Sequence, residues 1–127
     1  MTPNQEKLQK RVFASMASQC NRRGYAAPVD VLIEIGVLRK EKENEWRAGK
    51  IDYLERACMM NLSKLAFIMK QIRLYARDHQ LKPSWTSYHQ SGQKGNNRPL
   101  RFSKSGNEQI ERAYATHYVD QKRIAQL

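Results

Sequence analysis

Residues 85–104, WTSYHQSGQKGNNRPLRFSK, hold Lys94, Arg98, Arg101 and Lys104 and neither Asp nor Glu. Four uncompensated cations among Gly, Asn and Gln suit one chemistry above others. Ammonium and guanidinium heads, side-chain amides and main-chain N–H groups all donate to phosphate oxygens. Gly and Asn also serve turns for backbone reasons alone, so the loop by itself does not separate a binding tip from a polar turn. The charge around it does. Residues 56–104 carry ten basic groups against the single Asp78, residues 1–27 carry five against Glu6, residues 28–55 are net −2, and residues 105–127 balance. A solvated surface ordinarily mixes signs. A net charge of +11 concentrated in this way points to a polyanionic partner, nucleic acid foremost.

For the phosphate backbone the candidate contacts are Arg73, Arg77, Lys82, Lys94, Arg98, Arg101 and Lys104. Asn96 and Asn97 supply amide donors at the tip, and Lys64 and Lys70 face groove or solvent. Asn61 and Gln71 have the amide geometry that pairs with adenine edges, although capping and surface duty suit them better. Tyr75, Trp85, Tyr88 and Phe102 interleave the basic region. Exposed on one face they would stack unpaired bases. The preferred reading is that Trp85 and Phe102 are cross-strand partners packed on the core, with Trp46 a core anchor.

Signals for chemistry are few. His79, His89 and His117 lie at no metal-ligand spacing, and HExxH, CxxC, phosphate-loop and GxSxG patterns are absent. Neither metal nor cofactor is expected. Glu41, Glu43 and Glu45 read as a solvated helix face. One enzymatic arrangement remains open, a metal-independent nuclease with His89 and Tyr88 on the hairpin and His117 and Tyr114 on the last helix as acid and base. The expectation is nonetheless a protein that binds and does no chemistry. Cys20 and Cys58 are expected as separate reduced thiols, and the chain as cytoplasmic. No apolar run approaches the roughly 20 residues of a membrane span.

These side chains need elements to hold them. Leu8, Val12, Phe13, Met16 and Ala17 recur at three- and four-residue steps, predicting a helix over residues 5–21 with Gly24 as its stop. Pro28 and Asp30 suit the first turn of a short helix ending at Gly36. Residues 40–48 and 52–58 read as two more, with Asp52 as the second one's N-cap. The longest helix is expected over residues 62–79, burying Leu62, Leu65, Ala66, Met69, Ile72 and Ala76. A hairpin of residues 85–88 and 100–102 follows, its loop over residues 90–97, and then a helix from Glu108 to about Gln126.

The whole predicts a single domain over residues 1–127, mainly α with a small β-hairpin (α+β), resembling a winged helix-turn-helix. Its parts are an N-terminal helix (1–27), short helices (28–58), a long helix with basic hairpin (61–104) and a C-terminal helix (107–127). In that arrangement the long helix lies in the major groove and the hairpin touches the backbone. Ala57 and Asn61 have the spacing of the small and turn residues of such a unit. The expected function is a regulator or accessory factor on double-stranded DNA, with RNA as a variant. The alternative is an adaptor or inhibitor that docks an acidic protein. A membrane partner is not expected, and the two apolar terminal helices offer a surface for a homodimer.

Overall fold

A computed structural model describes residues 1–91 and 98–127. It is mostly helical with a small antiparallel sheet. The elements run α1 (Pro3–Arg23), β1 (Tyr25–Ala26), α2 (Pro28–Glu34), α3 (Lys40–Arg47), α4 (Leu54–Ala57), α5 (Leu62–Asp78), β2 (Lys82–Trp85), α6 (Glu108–Ala115), β3 (Thr116–Val119) and α7 (Gln121–Ile124).

Local chemistry explains most boundaries. Thr2 and Gln5 form a reciprocal capping box at the start of α1, and Gly24 ends it in the left-handed region at φ +81°. Pro28 opens α2, and the Asn61 side chain accepts the Lys64 N–H at the start of α5. Asp52 does not cap α4; Tyr53 takes that position without a side-chain bond, and Asp52 pairs with Arg56 at 3.0 Å. α1 packs along α5 through Val12, Met16, Leu65, Ile68, Ile72 and their neighbours, and Trp46 is fully enclosed in the same core. Leu62, Ala66 and Ala17, expected inside, are exposed. Glu43 departs furthest from its solvated reading. It is 1% exposed, and Lys40 and Arg47 both bind its carboxylate.

The sheet corrects the C-terminal expectation. Its order is β1-β3-β2, both pairings antiparallel, with Tyr25 opposite Val119, Lys82 opposite Val119 and Trp85 opposite Thr116. The predicted helix over residues 108–126 therefore breaks at Ala115. Tyr114, His117 and Tyr118 sit at helical steps, which masked the strand. Thr116, Tyr118 and Val119 are strand formers, and the open edges of β1 and β2 claim them.

The expected hairpin is also different. β2 begins at Lys82, and its partner is β3, not residues 100–102. Residues 88–90 and 98–100 meet at an isolated bridge, His89 opposite Pro99, flanked by Leu100 N–H to Tyr88 C=O (2.9 Å) and Gln90 N–H to Arg98 C=O (2.7 Å). Trp85 and Phe102 are not partners. Phe102 is buried among Trp46, Tyr88 and Tyr114, whereas Trp85 is 60% exposed.

Candidate nucleic-acid interface

The structure sorts the sequence-predicted cations into separate patches. Lys70, Arg73 and Arg77 recur at steps of three and four on α5, so one exposed face carries all three over about 10 Å. Arg77 pairs with Asp78 at 3.1 Å, both largely in solvent, a contact worth under about 1 kcal/mol. Among the described residues Lys70 and Arg73 have no acidic partner. Behind this face Leu65, Ile68, Ile72 and Tyr75 anchor the helix.

Lys64 lies on another quarter of the helix. It lines a groove of about 610 Å³ between the starts of α1 and α5, shared with Lys7 and Arg11. These two were not among the predicted contacts, although the +4 charge of residues 1–27 was a signal for them. Gln71 is excluded as a base reader, because it is 3% exposed and its amide oxygen accepts from Gln9 at 2.7 Å. Asn61 is spent as the cap of α5. Lys82 is exposed on the edge strand, on the face opposite Tyr118. Tyr75 is buried, Phe102 likewise, and Tyr88 half so, so no row of exposed aromatics forms.

Arg101 and Lys104 stand on a loop anchored by several hydrogen bonds. Trp46 Nε1 and the Leu54 N–H both donate to the Arg101 carbonyl, at 2.8 and 3.1 Å. Glu111 accepts the Phe102 and Ser103 N–H groups (2.9 and 2.6 Å), and Glu55 accepts the Lys104 N–H and the Tyr114 hydroxyl (both 2.8 Å). That hydrogen bond and burial push the Tyr114 phenol far above its ordinary value, burial being the larger cause. Arg101 folds over its own loop, donating to the Ser103 and Lys104 carbonyls and lying 5.3 Å above the Tyr53 ring. The Lys104 side chain and Arg98 are exposed. Lys94, Asn96 and Asn97 lie outside the described residues.

Between α5 and α6 runs an apolar groove of about 620 Å³. Leu62, Ala66, Met69 and Arg73 form one wall, Ile110 and Ala113 the other, and Ser105 closes one part. Arg73 and the anchored loop thus border one depression. Among the described residues no cluster of His, Cys, Asp or Glu is arranged to hold a metal, and no helix is long and apolar enough to cross a membrane. No family model matches the chain, and neither a curated protein nor a solved structure matches it.

Proposed function

We propose that this chain binds double-stranded nucleic acid, DNA by preference, with α5 laid in the major groove. The observation that carries the reading is the register of Lys70, Arg73 and Arg77 on one exposed face of a helix whose other face is locked in the core. Element order supports it. Helix, two-residue strand, helices, long helix and strand, then a further helix (α6) before the last strand, with the sheet in the order first, third, second, is similar to the order of a winged helix except for α6 between its last two strands. The wing here is residues 86–115, larger than a simple tip, and carries Arg98, Arg101 and Lys104. DNA is preferred because a B-form major groove admits a helix, whereas the deep, narrow A-form groove of RNA does not.

The test is a salt series of fluorescence-anisotropy titrations with duplex DNA, single-stranded DNA and duplex RNA. Each phosphate contact contributes about 0.9 to the slope of log affinity on log salt. The triple variant Lys70→Ala/Arg73→Ala/Arg77→Ala should flatten the duplex slope by about 2–3 and leave the fold intact. Equal binding by wild type and variant would remove α5 from the interface. The groove beside Arg73 favours one second reading, an acidic amphipathic helix as partner. Affinity for such a partner, centred on apolar contact, should depend far less on salt.

A further inference from the structure

The face of the sheet turned away from Tyr118 holds a different cavity, about 450 Å³ in volume. Side chains alternate along β3, so His117 points into it while Tyr118 is buried on the other side. Five separate stretches converge there, β3 and α2 (Asp30) among them. β1 supplies Tyr25, whose ring stacks on His117 with centroids 5.4 Å apart and 10° between planes. The end of α3 supplies Arg47, its guanidinium 5.2 Å from the centre of the Tyr88 ring. Residues 86–89 leave β2 and pass across the opening, and the Tyr88 hydroxyl lies 2.8 Å from His117 Nε2. Ser87 Oγ stands nearly equidistant from the two His89 ring nitrogens, 3.2 Å from Nδ1 and 3.3 Å from Nε2.

The hydrogen-bond inventory leans one way. Arg47 spends its Nε on Glu43 at 2.9 Å, and among the described residues its two terminal nitrogens have no partner. Among them the hydroxyls of Thr86 and Tyr25 have none either. The lining carboxylate, Asp30, is held by Arg23 at 2.7 Å. The hydroxyls accept as well as donate and Asp30 Oδ1 has no partner among the described residues, so it is the two free Arg47 nitrogens that tip the balance toward an anion with several oxygens. The volume exceeds that of a phosphate alone and falls in the usual range of small-ligand sites, about 300–1,000 Å³. The Tyr25, Tyr88 and His117 rings give a sugar or base an apolar wall.

We propose that this cavity binds the terminal phosphomonoester of a nucleotide, with Arg47, Thr86 and His89 on the phosphate and Tyr25 and Tyr88 against the nucleoside. The ester comes either from a free nucleoside monophosphate or from the phosphorylated end of a strand. The site is separate from α5, so it stands or falls independently of duplex binding.

The test follows the ring C–H signals of His79, His89 and His117 by NMR, at fixed ionic strength, with adenosine 5′-monophosphate and with adenosine. The nucleotide should shift His89 and His117 to saturation and leave the exposed His79 unmoved, and adenosine should bind much more weakly. His89→Gln and Thr86→Val, neither in the core, should each weaken the nucleotide at least about tenfold, the loss of one bond to a charged group. A 5′-phosphorylated oligonucleotide that outcompetes both its 5′-hydroxyl twin and the free nucleotide assigns the site to strand ends; a free nucleotide that binds as well assigns it to soluble nucleotides. Equal shifts at His79, no preference for nucleotide over adenosine, or full affinity in both variants would each overturn the assignment.

Discussion

Three buried or half-buried polar residues show how single side chains set this architecture. Burial alone would raise the carboxyl pKa of Glu43. Hydrogen bonds from Lys40 and Arg47, together with their charges, outweigh it and hold the group below its ordinary value. Glu111 has a comparable task at the basic loop, accepting two main-chain N–H groups and the Ser103 hydroxyl. Glu111→Gln replaces one acceptor oxygen with a donor that faces donors. It should cost about 2 kcal/mol in urea denaturation, the penalty of unsatisfied buried partners. Unchanged stability would mean that Trp46, Leu54 and Glu55 hold the loop without Glu111. His117 titrates the other way from a paired carboxylate. Burial, then the charge of Arg23, disfavours its imidazolium, with Arg47 adding to them and Asp30 opposing, so its folded pKa lies below 6.5. The unfolded chain then takes up the proton more readily. Stability should be independent of this group above about pH 7 and fall as pH drops from about 6.5 through the lowered folded value. Thermal melts of His117→Gln, less stable overall, should lack that part of the pH dependence.

At the scale of elements, what the sequence made legible and what it hid follow from the range of the forces. α1, α2, α3 and α5 announce themselves through apolar spacing, Pro28, Asn61 and Gly24, all local signals within one or two turns. The cationic register of α5 is legible for the same reason. β1 and β3 are not, since a two-residue strand and a four-residue strand owe their existence to partners nearly a hundred residues apart in sequence. The anchored loop at Arg101 was equally hidden, because its anchors, Glu55 and Glu111, come from elements distant in sequence or across a turn and carry no local signal of that role. Gly24 joins the two ranges. It caps α1 at φ +81°, its carbonyl accepts the Asp120 N–H at 2.7 Å, and a Cβ there would run into Ile124 Cγ1. Gly24→Ala therefore meets left-handed strain of about 1–2 kcal/mol and a clash with α7. The expected result is a drop in melting temperature with early loss of the α7 contact, read by amide hydrogen exchange at residues 121–124. A lowered melt with exchange at residues 121–124 unchanged would show that α7 is not docked in solution.

For the molecule as a whole, charge is the term that distinguishes this chain from an ordinary small domain. Seven ion pairs are present among the described residues; three join two exposed groups and are of small individual worth, and two converge on the buried Glu43. They leave the +11 excess uncompensated, and like charges on so small a body repel at any distance within the Debye length, about 30 Å at 0.01 M salt and 8 Å at 0.15 M. Salt screens both the pairs and the repulsion. Repulsion should win, because excess cations outnumber the pairs and several pairs sit on one helix turn where screening is short-ranged. Raising ionic strength over that interval should accordingly raise the melting temperature, while the same change should weaken the proposed duplex binding. At low salt a polyanion supplies what salt supplies at high salt, by binding the folded state in preference to the unfolded one. Duplex DNA at low salt should thus stabilise the wild type, and the α5 triple variant should gain less from DNA while being intrinsically more stable without it. A variant that melts lower than wild type in low salt without DNA would show that Lys70, Arg73 and Arg77 belong to the packing of α5 and not to its free surface.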